Sequence, residues 1–305
     1  MEHLIYWLAI ARLSSFSIEG SLVLLQEFGG FEKAWTADRE KLFSIQGDGG
    51  LARDIAIERD SIALSDYDRM LYKSTRLGIK TVTAISNEYP SKLRRIDDPP
   101  PTLFVLGNKS VLQKEMIAIV GTRTPTDFGE LKSRELALNL AKKGYVIVSG
   151  LALGIDSNAH LGALEGDGLT VAVLPSSLEN ITPKKNEPLA YDIIRHNGAV
   201  ISEYAPDQAV TKRNFIHRNR IIAALAEATV IIEGTKRSGT RHQARYAAEF
   251  GRLILTLKPK DPSLDVAELP LMLVEEGAKP IESASDVEAE LWKAKLANTK
   301  QETLV

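Results

Sequence analysis

MIAIVGTR at residues 116–123, YVIVSGLALGID at 145–156 and TVIIEGTKRSGT at 229–240 decide the fold. Each is a run of apolar residues that ends abruptly in glycine and small polar groups. Consecutive apolar positions, as in IAIV, VIVS, VAVL and VIIE, mark strands covered on both faces, as in a parallel sheet flanked by helices. Reading outward gives strands at Met116–Val120, Tyr145–Ser149, Leu169–Leu174, Ala199–Glu203, Thr229–Glu233 and Leu253–Leu257. Helical patterns lie between them, near 127–143, 155–165, 187–196, 218–227 and 240–250. Such alternation predicts an α/β fold, a Rossmann-like, doubly wound, mostly parallel sheet.

The flanks read differently. Residues 1–80 form a small helical domain, with a stripe of Leu4, Trp7, Leu8 and Ile10 to Leu13. Further helices, Ser17 to Phe28 and Lys41 to Ile45, are separated by Gly29-Gly30 and by Gly47 to Gly50. Short glycine-linked helices resemble helix-hairpin-helix or sterile-alpha-motif bundles, which serve as contact modules or hold nucleic-acid backbone. Ile79 to Ile85 and Leu103 to Leu106 read as strands around a stiff linker, Asp97 to Pro101. The Rossmann-like domain is placed at 81–265. Residues 266–305 are read as a strand, a helix capped by Ser285 and a fraying polar tail, with no winged helix.

The chain of 305 residues carries 38 Lys and Arg against 40 Asp and Glu, a net charge of −2. A nucleic-acid binder with that balance must gather its cations on one face. Cysteine is absent, which excludes disulfides, thiol chemistry and cysteine-based zinc sites. The first twenty residues lack a basic leader, and no stretch approaches the roughly 18 apolar residues of a membrane span. A cytoplasmic protein with no membrane association is expected.

Open α/β sheets bind ligands at the carboxyl ends of their strands, and three motifs fall there. Gly121, Thr122 and Arg123 offer a close backbone approach, a hydroxyl and a guanidinium fork suited to phosphate; a simple tight turn is the other reading. Ser149 and Gly150, with Gly154 opening the next helix, suggest a nest of amides for an anion. Asp156 and His160 share a helix face but lack a third ligand in sequence. Asp156 is therefore expected to cap its helix, His160 to hydrogen-bond within the fold, and no metal to bind.

Lys184 and Asn186 follow in a Pro-Lys-Lys-Asn loop. Arg218, Asn219 and Arg220 start a helix, where arginine opposes the macrodipole unless an anion is present. In the competing reading, these arginines pair with Glu233 or Glu203 and hold the sheet edge together. Ser238, Gly239 and Thr240 lie among Lys236, Arg237, Arg241 and Arg245, while Lys212, Arg213 and His217 add to the same edge. So many cations suit a polyanion better than a single nucleotide. No catalytic set and no cofactor fingerprint accompany them.

Taken in register, these motifs resemble the DNA-processing protein A family (DprA, also called Smf). The resemblance runs from Tyr89-Pro90 through VGTR, VSGLALGID, AHLGAL, TVAVL, the P-K-K-N loop, ISEY, FIHRNRIIAAL, VIIEG and SGT to EEGAKPI, residues 89 to about 291. It implies a non-enzymatic protein that binds single-stranded DNA, loads a RecA-type recombinase during natural transformation or related DNA processing, and pairs as a homodimer through its Rossmann-like domain. Carried over by motif, Gly121, Thr122 and Arg123 would hold phosphate, Lys184 would contact DNA, and Arg218 and Arg220 would belong to the F-x-x-R-N-R motif. The chain is divergent at Thr182, where the family has Tyr; at Gln243, where it has Thr; and at Leu257-Lys258-Pro259-Lys260, where it has Val-Pro-Gly. Two other classes stay open: a small-nucleotide sensor, as in some phage-defence proteins, and a phosphoribohydrolase. The latter needs P-G-G-x-G-T-x-x-E, whose glycine pair and glutamate are missing between Glu233 and Gln243.

Overall fold

The computed structural model describes residues 2–302. Six helices come first: α1 (Glu2–Ile10), α2 (Ile18–Phe28), α3 (Phe31–Thr36), α4 (Arg39–Ser44), α5 (Leu51–Glu58) and α6 (Leu64–Arg76). Local chemistry sets their ends. Ser17 accepts the Gly20 N–H as the cap of α2, and Gly29 closes that helix at φ 70°, a conformation that costs glycine nothing.

The sheet begins with β1 (Lys80–Thr83), α7 (Ser91–Arg94), β2 (Thr102–Gly107) and β3 (Met116–Val120). Helices and strands then alternate: α8 (Asp127–Lys142), β4 (Val146–Ser149), α9 (Ile155–Glu165), β5 (Thr170–Val173), α10 (Glu187–Arg195) and β6 (Ala199–Ser202). The second half holds α11 (Lys212–His217), α12 (Asn219–Leu225), β7 (Ala228–Ile231), α13 (Thr240–Glu249), β8 (Leu253–Leu257), α14 (Glu268–Glu275), β9 (Lys279–Ile281) and α15 (Ala284–Glu302).

The nine strands make one sheet in the order β1-β2-β6-β5-β4-β3-β7-β8-β9. From β6 to β9 all neighbours are parallel; β1–β2 and β2–β6 are antiparallel. Ala118 of β3 pairs with Val148 on one side and Thr229 on the other. The chain winds outward from β3 to β6 and returns at β7, so the topological switch lies between β3 and β7. That is where a doubly wound sheet opens a crevice.

Side chains alternate across the strands and feed two cores. Ile117, Ile119, Ile147 and Val230 pack under α8, α9 and α15 with Leu136, Ala159 and Val287. Ala118, Val148, Val171 and Ile231 face the other way, into a core continuous with Trp7, Leu24 and Ile55 of the N-terminal helices. Trp7 fixes that junction: its Nε1 donates to Thr102 Oγ1 at 2.9 Å, and its ring meets Phe16 and Phe31 edge-on at 5.5 and 5.2 Å.

Three expectations are corrected here. The helix expected over 218–227 is α12, Asn219–Leu225, and a further short helix that was not expected, α11 (Lys212–His217), precedes it across Arg218. The cap of α15 is Ser283, not Ser285: Asp286 Oδ2 accepts the Ser283 N–H and hydroxyl (2.9 and 3.0 Å), and Asp286 N–H points back to Ser283 Oγ. This is the reciprocal box that a Ser-x-x-Asp spacing produces. The tail is helical to Glu302, and its last residues lie outside the described ones. Among the described residues no helix is long and apolar enough to cross a membrane.

Candidate nucleic-acid interface

At the switch point the ends of β3 and β7 meet the starts of α12 and α13 around an open hollow of about 510 Å³. The structure brings Gly121, Thr122, Arg123, Arg218, Asn219, Ser238, Gly239 and Thr240 together there. A second hollow of about 230 Å³, walled by Leu153, Pro175, Pro183 and Gly150, adjoins it and shares Arg123, Ala152, Phe215 and Arg218 with it. The two form one groove.

Phe215, which the sequence shows only as the first residue of the F-x-x-R-N-R motif and without a role of its own, stands at the junction. The exposed Arg123 guanidinium lies 5.7 Å from its ring centroid, in cation–π range. An aromatic three residues ahead of an Arg-x-Arg pair was the available signal. Nearby, Ser238 Oγ accepts the Thr240 N–H at 3.0 Å, which leaves the hydroxyl proton free to donate. The Gln243 amide donates to the Asn219 carbonyl (3.0 Å) and accepts from Ala223 N–H (3.1 Å), tying α13 to α12.

The amide nest expected to receive a phosphate is already filled. Gly150 N–H donates to Asp156 Oδ2 at 3.1 Å, and the N–H groups of Ala152 and Gly121 also stabilise that carboxylate. The tight turn after β4 folds Asp156 back toward the loop. It therefore does not cap α9, which starts after Gly154 at φ 83°. Arg218 lies beside it, buried, with Nη1 donating to the Gly150 carbonyl at 2.7 Å and also to that of Val173. A Cβ at residue 150 would stand 2.5 Å from the guanidinium, so the close approach requires glycine. Burial raises the Asp156 carboxyl above its ordinary range, opposed by the field of Arg218. Burial also pushes Arg218 down to about 10, where it still carries its charge at neutral pH.

Four expected site residues do not line the groove. Ser149 is buried and donates to the Ile119 carbonyl at 2.6 Å, linking β4 to β3. Asn186 is buried, its Nδ2 donating to Leu151 O (2.8 Å) and Ala152 O (3.2 Å). It holds Leu151 at φ 57°, a backbone conformation that costs a non-glycine residue about 1–3 kcal/mol. Lys184 is exposed, one turn from Glu187 in a 3.0 Å ion pair. Arg220 points away from the groove and forks onto Glu203 at 2.9 and 2.7 Å, with Nε on the Asp98 carbonyl at 3.0 Å. Pairing with Glu203, the competing reading for this arginine, is what the fold contains.

His160 is fully buried, with Nδ1 2.7 Å from Thr170 Oγ1. The Thr170 hydroxyl donates to the Ile147 carbonyl, so it accepts from Nδ1–H and fixes the neutral tautomer. Burial, then the field of Arg218, holds His160 down at about 3. The unfolded chain therefore takes up a proton that the folded chain refuses, and stability is lost as pH falls from the ordinary 6.5 toward 3. His160→Gln should remove up to about 1.4 kcal/mol per pH unit of this slope. Urea melts of both proteins between about pH 6.5 and 5 measure it; equal slopes would place the acid sensitivity elsewhere.

A family model described as DNA recombination-mediator protein A matches residues 80–292. The chain is 34% identical over 302 residues to Protein Smf of Synechocystis, covering 97% of this chain and 75% of that one. It is 37% identical over 226 residues to DNA processing protein DprA of Bacillus subtilis, covering 73% of this chain and 75% of the relative. The X-ray structure of DprA from Streptococcus pneumoniae aligns with a TM-score of 0.76 at 28% identity, over 95% of this chain and 98% of that one. DprA from Helicobacter pylori, described for its single-stranded DNA binding mode, aligns with a TM-score of 0.63 at 32% identity, over 71% and 96%. With a family model covering most of its length and the motifs clustered at the switch point, the chain belongs to the DNA recombination-mediator protein A family, DprA/Smf.

Proposed function

We propose that this protein binds single-stranded DNA along the groove and presents it to a RecA-type recombinase, without catalysing a reaction of its own. The observation that carries the reading is Arg123: exposed, in no ion pair among the described residues, and set over Phe215 where the two hollows join. An aromatic face beside a free guanidinium offers a base something to stack on and its phosphate a charge. The groove is open, which suits a strand passing through rather than one enclosed nucleotide. Exposed Lys212, Arg213, Lys236, Arg237 and Arg241 extend the positive edge. The single-stranded DNA binding of the Helicobacter pylori relative and the recombination-mediator family support the same assignment. Homodimerisation through the sheet domain belongs to this proposal, and sedimentation reads it.

Fluorescence anisotropy with a labelled oligothymidylate tests the binding. Affinity should exceed that for duplex and fall steeply between low and moderate salt, reflecting several phosphate contacts. Arg123→Ala should cost about 1–3 kcal/mol of binding, more than Lys185→Ala, with little change in folding. Mononucleotides competing as well as the strand would favour a nucleotide sensor instead. Failure to speed recombinase filament growth would remove the loading role.

A further inference from the structure

Glu233 follows β7 and is buried, yet its carboxylate does not face the groove. It lines a separate hollow on the far side of the β3–α8 loop, with Pro259 and Lys260. Its hydrogen bonds go to both ends of that loop. The Glu233 carbonyl accepts the Thr122 N–H at 2.8 Å. Its Oε2 accepts the Thr126 N–H at 2.9 Å, and its Oε1 accepts the Thr126 hydroxyl at 2.5 Å. Thr126 in turn caps α8 through the Gly129 N–H, at 3.1 Å. Gly129 is packed so closely that a Cβ there would meet the carboxylate at 2.3 Å.

Between the clamped ends lie Arg123, Thr124 and Pro125. Arg123 has no carboxylate among the described residues to hold it, so the path of this loop sets the direction of its guanidinium. The Glu233 charge also sits at the N-terminus of a 16-residue helix, where the macrodipole favours an anion. The clamp is therefore electrostatically reinforced as well as hydrogen-bonded.

We propose that Glu233 is a positioning residue for DNA binding, acting through Arg123 by pinning residues 122–126. The inference rests on the reading of the groove given above, and two measurements separate the two claims. The first needs no DNA. Amide exchange at Thr126, whose N–H is held by the side-chain carboxylate, should speed up in Glu233→Ala and stay near the wild-type rate in Glu233→Gln. The glutamine keeps an acceptor for the Thr126 N–H. Unchanged exchange in Glu233→Ala overturns the clamp whatever the protein binds.

The second is a double-mutant cycle in oligothymidylate anisotropy. Glu233→Ala should weaken binding roughly tenfold when Arg123 is present and less than about twofold in the Arg123→Ala background, with Glu233→Gln restoring most of the loss. Equal losses in both backgrounds would show that Glu233 supports the fold rather than Arg123, and would overturn the proposal. If Arg123→Ala binds like wild type, the groove reading fails while the exchange result stands or falls by itself. Should Glu233→Ala not fold, Thr126→Val removes the hydroxyl half of the clamp and faces the same two criteria.

Discussion

Arg218→Gln is expected to cost about 3–5 kcal/mol of folding stability, because it removes a buried charge that serves two carbonyls and offsets the burial of the Asp156 carboxylate. Arg218 is 5% exposed and Asp156 6%, so neither charge has water to fall back on. Glutamine is too short to donate to both the Gly150 and Val173 carbonyls, which the guanidinium now serves. Asp156 would keep its backbone donors but lose the positive field that offsets its burial, so its carboxyl would rise further. A raised folded-state carboxyl binds a proton that the unfolded chain releases. Stability is then present at low pH and lost as pH climbs through the folded value. The variant should accordingly recover part of its deficit on acidification from about pH 7 to 5. Denaturant melts across that range decide it. An Arg218→Gln protein as stable as wild type at pH 7 would mean that the arginine is held for a ligand and not for the fold.

Arg220→Gln is expected to lose a comparable amount, about 3–5 kcal/mol, for a related reason. Its side chain is 4% exposed and that of Glu203 is 12% exposed, and the two meet fork to fork. Removing the guanidinium strands Glu203 and frees the Asp98 carbonyl that fixes the proline-rich linker. The folded fraction should bind oligothymidylate as wild type does, because Arg220 lies outside the groove. Intact stability with lost DNA binding would reverse this placement. The opposite expectation, that both arginines are strained without an anion, rested on their place at a helix start. The field of that helix end is outweighed by the Gly150 and Val173 carbonyls and the Asp156 field at Arg218, and by Glu203 at Arg220.

Those two arginines mark the limit of what the sequence carries. Strands such as Met116–Val120 and Leu253–Leu257 are legible to the residue, because burial on both faces leaves an uninterrupted apolar run. The convergence of Gly121, Asn219 and Ser238 was legible too, since a parallel sheet brings the carboxyl ends of its strands to one edge. Which anion fills the Gly150 nest was not. Asp156 is six residues further on and reads as a helix cap; only the turn at Leu151 and Gly154 folds it back. Asn186 likewise reads as a loop polar group, and nothing local shows that its amide is spent on the Leu151 and Ala152 carbonyls. Phe215 is legible only as the first residue of the F-x-x-R-N-R motif, since nothing in the sequence shows that Arg123 comes to lie over its ring. Polar residues near a site split into those that face the ligand and those that hold the ones that do, and that division depends on side-chain direction.

The strand order also has a consequence for how the polypeptide assembles during synthesis. The sheet partner of β2 beyond β1 is β6, whose Ser202 pairs with Phe104. A chain emerging N-terminus first thus completes the β1–β2 hairpin long before that edge has a neighbour, and an unpaired edge invites association with other chains. The N-terminal helices are made earlier still, and Trp7 reaches Thr102 at the start of β2. They can cover one face of the waiting hairpin while β3 to β5 are translated. Trp7 thus joins a helical layer made first to a strand whose second sheet neighbour is made much later, so closing the sheet edge is a long-range event in the chain.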